Sequence, residues 1–180
     1  MPGAETNTHA DNEWNTTFVT RANVTMTVRA VLPTDGPLLA DLFENISPDD
    51  LRFRFLSGLR HVDKARIAQM IDVDPRYGIT FLAFENRHPI ATAMLAAEPN
   101  HPKAEVAISV RSDMKGRGIG WTLLQHVLRY AKANGIEQVE SMESRDNDEA
   151  LGVERDAGFA IHPCDGDPAD MVASKTLASD

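Results

Sequence analysis

The segment "MKGRGIGWTLLQHVLRYAKANG" (114–135) begins with three glycines in five positions, Gly116, Gly118 and Gly120. The residues that follow have the apolar spacing of an amphipathic helix, predicted over 117–133. Glycine stabilises a helix less than any residue except proline, so glycines clustered at a helix start require a reason. A helix N-terminus carries unpaired N–H groups and a partial positive charge, and glycines let an anion approach both. The segment therefore predicts a phosphate-binding loop.

Two common phosphate-binding motifs do not fit this loop. A P-loop requires a second glycine followed by Lys and then Ser or Thr, and the chain has no such string. A dinucleotide-binding fingerprint requires glycine at its sixth position, where counting from Gly116 gives Trp121. A tight turn alone would need only one glycine. The loop is therefore expected to bind phosphate in a different setting.

The residues before the loop predict strands and helices in a mixed order. "TMTVRAVL" (25–32) alternates like a strand, and three amphipathic helical stretches follow. Ser47 can cap the second of these helices, and the third covers 61–74. Two apolar runs joined by "NRH" then predict a hairpin, and "AEVAISV" (104–110) is a strand that leads into the glycine loop.

The residues after the loop complete the predicted domain. "IEQVESME" is a strand, the next helix can be capped by Asn147 and ended by Gly158, and "FAIH" and "MVASKTL" are the last strands. This order predicts an α/β fold, a mixed and mostly antiparallel sheet of about six to seven strands with helices on both faces. We expect one domain over 23–180 and a flexible polar tail over 1–22.

Composition narrows the function. A formal net charge of -9 argues against nucleic acid as a partner. No apolar run is long enough to cross a membrane, the N-terminus lacks signal-peptide features, and one cysteine, Cys164, cannot form an internal disulfide. These features favour the cytoplasm. The six histidines lack metal-ligand spacing, so no metal site is expected.

The string "VRSDMKGRGIGWTLL" resembles the acyl-CoA signature of the GNAT superfamily of N-acyltransferases. That signature is Gln or Arg, two residues, Gly, any residue, then Gly or Ala, and its places here are Lys115, Gly118 and Gly120. The resemblance implies acetyl-CoA as co-substrate and a pyrophosphate bound by the loop: Lys115, Gly116, Arg117, Gly118, Ile119 and Gly120. It also implies that the two strands flanking the helix splay apart around the pantetheine. Main-chain groups near Ile108 and Val110 would then bind the pantetheine, with Asn147 as a further cofactor contact.

A longer stretch, "VRAVLPTDGPLLADLFENISPDDLRFRFL" with "AEVAISV" and the loop, is similar to the catalytic domain of bacterial Pat-type protein lysine acetyltransferases. This resemblance implies a catalytic glutamate at Glu105. We expect Glu105 to be partly desolvated among its apolar neighbours, because desolvation makes a carboxylate a stronger base. Strand alternation alone would equally allow a solvent-facing side chain.

The chain departs from the family pattern at two positions. Lys115 replaces the Gln or Arg, which keeps the charge but loses the planar fork. Glu154 stands where many members carry a tyrosine acid, so that route to protonating the thiolate is missing. A thiolate leaves readily, and we expect its protonation not to limit the rate.

Tyr130 is expected to pack rather than to donate a proton. Three arginines near "LRFRFLSGLR" are expected on a solvated helix face, with the acceptor groove as the alternative: Arg52, Arg54 and Arg60.

These observations leave three functions open. The leading one is an acetyl-CoA-dependent protein lysine acetyltransferase that transfers acetyl by direct attack in a ternary complex, with acyl-CoA synthetases as possible acceptors. The second is a small-molecule amine acetyltransferase on the same fold. The third is a non-catalytic acyl-CoA sensor, because a fold does not guarantee chemistry. Glu105 favours either enzyme over the sensor.

Overall fold

The computed structural model describes residues 13–178, which form one eight-stranded sheet and the helices packed on it. The strands are β1 (Thr16–Val19), β2 (Thr25–Ala30), β3 (Gly78–Glu85), β4 (His88–Ala97), β5 (Lys103–Val110), β6 (Gln138–Ser144), β7 (Ala160–Pro163) and β8 (Asp170–Thr176). The helices are α1 (Gly36–Glu44), α2 (Pro48–Phe55), α3 (Lys64–Ile71), α4 (Ile119–Ala133) and α5 (Asp148–Asp156). A short 3-10 turn, Ser112–Met114, lies between β5 and the glycine loop.

The sheet confirms the predicted mixed, mostly antiparallel class. Its order is β1-β2-β3-β4-β5-β6-β8-β7, and every neighbouring pair is antiparallel except β5 and β6. The sheet has eight strands rather than six to seven, because β1 lies within the predicted tail. Residues 13–22 are therefore structured, contrary to prediction, while the rest of that tail lies outside the described residues.

Strand β1 is stabilised by strand pairing and aromatic contacts that could not be predicted from its polar sequence. It pairs antiparallel with β2 from Thr16 to Val19. The rings of Trp14 and Phe18 lie edge-on to the buried ring of His126 on α4, with centroids 5.8 and 5.3 Å away. Two aromatic anchors thus fix an edge strand whose own pattern is weak.

Two hydrophobic cores lie on opposite faces of the sheet, as a sheet with helices on both faces requires. Strand β3 alternates between them, with Phe81 and Ala83 in the first core and Leu82 and Phe84 in the second. Helix α4 packs in the first core through Leu123, Leu124 and Val127. Helix α1 packs in the second through Leu39, Leu42 and Phe43. Burial of each large apolar side chain contributes about 1.5–3 kcal/mol to the stability of the fold, so both cores stabilise the sheet.

The parallel strands β5 and β6 separate soon after they meet. They pair only from Lys103 to Glu105, where Glu105 lies opposite Glu140. Beyond that point β5 stays paired with β4 as far as Val110, and β6 stays paired with β8 as far as Ser144. The facing edges of β5 and β6 therefore diverge, which is the opening that the resemblance implied. Along these edges the two strands no longer pair with each other, so their facing N–H and C=O groups need other partners. A ligand in the opening could supply them.

Candidate active site

A central cavity of about 380 Å³ occupies the opening between β5 and β6. Strand β5 lines it from Glu105 to Val110 and β6 lines it from Ser141 to Glu143. Helices α2 and α5 close it on the other sides. Three of the predicted cofactor-binding residues, Ile108, Val110 and Asn147, lie in its wall. Asn147 also caps α5 as predicted, since its side chain accepts a hydrogen bond from the Ala150 N–H.

The glycine loop borders a second cavity, the loop cavity, of about 430 Å³. Gly116 and Gly118 have φ of 72° and 76°, a left-handed backbone that favours glycine. Gly118 is also the N-cap of α4 and provides no side-chain cap, so the first N–H groups of that helix lack this partner. All the loop residues predicted to bind pyrophosphate, from Lys115 to Gly120, line this cavity.

Gly120 has a different role from the other two glycines. It lies in the first turn of α4 and lines both the loop cavity and the central cavity. A Cβ added there would lie 3.7 Å from the Val110 Cγ2 atom, which is an ordinary contact. Gly120 therefore lies at the junction of the two cavities, called the passage below, and a methyl group would fit there without a clash.

Lys115 does not offer the free positive charge that we predicted for phosphate. Its Nζ atom donates to Asp50 Oδ1 at 2.7 Å and lies 2.9 Å from Glu149 Oε2. Burial opposes the charge, but these two carboxylates raise the pKa of Lys115. The ammonium group is thus neutralised by α2 on one side and α5 on the other, and Lys115 ties these helices together beside the passage.

Arg21 supplies a positive charge that sequence reasoning missed. It lies in the turn between β1 and β2, inside the predicted tail, and lines the loop cavity together with Arg117. Its guanidinium group lies 4.5 Å from the centroid of the Trp121 ring, a cation–π contact. Its backbone nitrogen would be 3.5 Å from a Cβ added at Gly118. Arg21 therefore packs directly against the glycine loop.

Glu105 lies at the closed end of the opening, but it is exposed rather than partly desolvated. The expected desolvation was wrong because the strand alternates: Ala104 and Val106 point into the core, and Glu105 faces the other side. The Glu105 side chain lines both the central cavity and an outer cavity of about 490 Å³. Glu98 and Glu140 also line the outer cavity, and such carboxylates attract a cation.

Arg54 on α2 is part of the site rather than of a solvated helix face. It lines both the central and the outer cavity, whereas Arg52 and Arg60 are exposed. Burial lowers the pKa of Arg54, and the negative charges of Glu105 and Glu143 oppose that shift. For Arg54 the alternative expectation, a place in a groove, is the one that the structure favours, because the helix presents Arg52 and Arg54 to different surroundings.

Two acidic side chains meet in the wall of the central cavity, and their meeting was not predicted. Ser141 Oγ donates a hydrogen bond to Glu154 Oε1, and Asn147 Nδ2 donates one to Glu143 Oε2 at 3.0 Å. Burial, and then the negative charge of Glu154, raise the pKa of Glu143 to about 8. Burial also raises the pKa of Glu154, against the hydrogen bond from Ser141. Burial therefore favours the protonated form of both carboxyl groups.

Among residues 13–178, no group of three or more His, Cys, Asp or Glu side chains is placed to hold a metal ion. Within the same range, no helix has the length and apolar character needed to cross a bilayer.

Tyr130 packs as predicted, with its ring edge-on to Phe81 at 5.7 Å and to Trp14 at 5.2 Å.

The sheet opens between two parallel strands, and glycines precede the N-terminus of α4 beside that opening. Such a helix start can bind an anion such as a phosphate group.

The chain belongs to the Acetyltransferase (GNAT) family, whose sequence model matches residues 41–159. It is 24% identical over 124 residues to Acetyltransferase PA5475 of Pseudomonas aeruginosa, covering 67% of this chain and 67% of that protein. Family membership confirms the predicted enzyme class, an acetyltransferase.

Two solved structures are similar to this fold. The GNAT domain of S. lividans PAT superposes with a TM-score of 0.85 at 22% identity, covering 92% of this chain and 98% of that one. A putative phosphinothricin N-acetyltransferase superposes with a TM-score of 0.70 at 22% identity, covering 86% and 99%. Identities this low show a shared fold and leave the acceptor open.

Proposed function

We propose that this protein transfers the acetyl group of acetyl-CoA to the ε-amine of a protein lysine, within a ternary complex. Acyl-CoA synthetases are the acceptors that we expect. The observation that carries the proposal is the opening between β5 and β6, with Glu105 at its closed end and the glycine loop beyond its open end. The similarity of residues 28–56 and 104–120 to Pat-type enzymes supports the choice of a lysine acceptor.

The residues around both cavities fit acetyl-CoA. The diphosphate group would accept hydrogen bonds from the uncapped N–H groups that follow Gly118, with Arg21 and Arg117 adding positive charge. The pantetheine arm would pass Gly120 and lie along β5 beside Val110 and Ile108. Lys115 would support the passage rather than the phosphate, because Asp50 and Glu149 already pair with it.

The outer cavity supports entry of the acceptor from the opposite side. A lysine amine has a pKa of about 10.4, so it arrives protonated and must lose a proton before it can attack. The Glu98 carboxylate attracts the ammonium group toward Glu105, whereas Glu140 is already paired with Lys103. Glu105 then takes the proton, directly or through water, and the free amine attacks the thioester carbonyl carbon in the central cavity.

A small-molecule amine is the second candidate acceptor. The fold shared with a putative phosphinothricin N-acetyltransferase favours it, since that name denotes a small acceptor. The outer cavity, about 490 Å³, has room for either a lysine side chain or a small amine.

The acceptor is tested by incubating the protein with isotopically labelled acetyl-CoA, a cytoplasmic lysate and a panel of small amines, followed by mass spectrometry. We use a cytoplasmic lysate because a single cysteine is typical of a reducing compartment. We expect label on lysines of folded proteins and much poorer turnover of polyamines and aminoglycosides. Efficient turnover of a small amine without labelled protein would favour the second candidate. Binding of acetyl-CoA without transfer to any acceptor would indicate a sensor.

A further inference from the structure

The wall of the central cavity contains an acidic pair that the proposed mechanism does not yet use. Glu154 is only 6% exposed, and its Oε1 atom accepts the hydrogen bond from Ser141. Its Oε2 atom is buried and receives no hydrogen bond from a neutral or cationic donor among residues 13–178, and the carboxyl group of Glu143 interacts with it. Glu143, on the neighbouring strand β6, lines the same cavity beside it. A buried carboxyl oxygen without such a donor is costly, so its retention at a reaction cavity calls for an explanation.

We propose that Glu154, sharing a proton with Glu143, is the acid that protonates the departing sulfur. This rests on the proposed function, since it requires a thioester in the central cavity. It replaces the expectation from the sequence that protonation of the thiolate has no donor at position 154 and does not limit the rate. The acceptor nitrogen bonds to the carbonyl carbon, the C–S bond breaks, and its electron pair goes to sulfur. Glu105, which is exposed, has by then passed the ammonium proton to water, and it takes the second proton that the nitrogen loses as the amide forms. The sulfur takes the carboxyl proton of Glu154. The Glu154–Glu143 pair regains its proton from water once the thiol product has left.

The other ionisable groups that line the central cavity form ion pairs or have a different role, so they are not available to donate a proton to the sulfur. Asp50 and Glu149 both bind Lys115, which needs its own proton for those bonds. Arg54 stays a cation between Glu105 and Glu143. Glu105 has the opposite task of accepting a proton. In this wall, the Glu154–Glu143 pair is therefore the group that can give one.

The protonation state of the pair suits this role. Burial raises the pKa of both carboxyl groups, and that of Glu143 reaches about 8. Opposing influences come from every side of the pair: Ser141 and Asn147 donate hydrogen bonds, and Arg54 and Arg155 add positive charge. Burial outweighs them. A free thiol has a pKa of about 8.5, so raising the pKa of the carboxyl group brings it closer to that of the sulfur that it is proposed to protonate.

The test is the pH profile of kcat, at saturating acceptor, for the wild type and Glu154→Gln. The wild type should lose activity above about pH 8 as the pair loses its proton. Glu154→Gln should lower kcat roughly 10²-fold and lose this alkaline decline, since general acid catalysis contributes at least that much. Glu137→Gln, an exposed residue outside the three cavities, is the matched control and should behave as the wild type.

A second measurement reports on the pair without catalysis. A carboxyl whose pKa is raised on folding stabilises the native state at low pH, and this stabilisation is lost as pH rises through the folded value. For Glu143 that interval is from 4.5 to about 8. The melting temperature of the wild type should therefore fall across this interval by more than that of Glu143→Gln.

The outcomes separate this inference from the proposed function. If acetyl-CoA still raises the melting temperature of Glu154→Gln, and its kcat and alkaline decline match the wild type, the inference is overturned while the proposed function stands. Absence of transfer by the wild type would overturn both. Should Glu154→Gln not fold, Ser141→Ala replaces it, because removing this hydrogen bond raises the pKa of Glu154. The alkaline decline should then move to higher pH, and an unmoved decline would contradict the inference.

Discussion

Glu105→Gln is expected to lower kcat roughly 10²–10⁴-fold, while acetyl-CoA affinity stays nearly unchanged. Glutamine keeps the size and hydrogen bonding of the side chain but cannot accept a proton. The interaction lost is made only in the transition state, so kcat and kcat/KM should fall together. Steady-state kinetics with the acceptor identified by mass spectrometry measure the change. Raising the pH should recover part of the loss, because more of the acceptor amine is then already deprotonated.

Glu140→Gln offers the matched comparison. Glu140 lies opposite Glu105 in the β5–β6 register, and Lys103 donates to its Oε1 atom at 3.2 Å. Since Lys103 already pairs with Glu140, we expect Glu140→Gln to lower kcat far less than Glu105→Gln does. Retention of most activity by Glu105→Gln from about pH 6.5 to 9 would show that Glu105 is not the base. The acceptor's proton would then pass directly to water.

Gly120→Glu is expected to abolish acetyl-CoA binding. The new side chain would extend from a helical backbone into the passage between the loop cavity and the central cavity. Its carboxylate would repel the diphosphate, and its bulk would block the pantetheine arm. In the wild type, acetyl-CoA at about 100 times its Kd should raise the melting temperature by roughly 5–10 °C. The variant should show no such rise.

Gly120 is a better position for this substitution than Gly118, because a side chain at Gly120 does not require a left-handed backbone. Gly118 has φ of 76° and packs against Thr20 and Arg21, so any side chain there strains the loop itself. Gly152 is the matched control, because it is also a helical glycine and a Cβ there would meet nothing within 4 Å. Gly152→Glu should keep the full rise in melting temperature. A folded Gly120→Glu protein with an unchanged rise would remove the loop from the binding site.

Local signals in the sequence predicted most of the fold. Ser47 caps α2 and Asn147 caps α5 as expected, because a capping side chain acts within three residues of its partner. Helix α4 was expected over 117–133 and begins at Ile119, since the left-handed Gly118 ends the loop there. Strand β1 was missed because its stability comes from Trp14 and Phe18 packing on a helix about 110 residues later in the chain.

In the candidate site, too, the features with local sequence signals could be predicted, and those that depend on long-range contacts could not. The glycine loop and Glu105 follow from motif and resemblance, and both line the cavities. The surroundings that set their chemistry depend on long-range contacts. Lys115 is neutralised by Asp50, 65 residues away in sequence, and Glu154 meets Glu143 across two different elements. No spacing rule predicts such pairs, because the fold alone brings their elements together.

The central claim is that the opening between β5 and β6 holds the acetylated arm of acetyl-CoA. A crystal structure of the protein with acetyl-CoA bound tests it most directly. We predict the diphosphate against the N–H groups that follow Gly118, and the thioester beside Ile108, with Glu105 on the acceptor side and Glu154 facing the sulfur. A cofactor bound elsewhere, or one whose acetyl group lies outside the opening, would contradict the account.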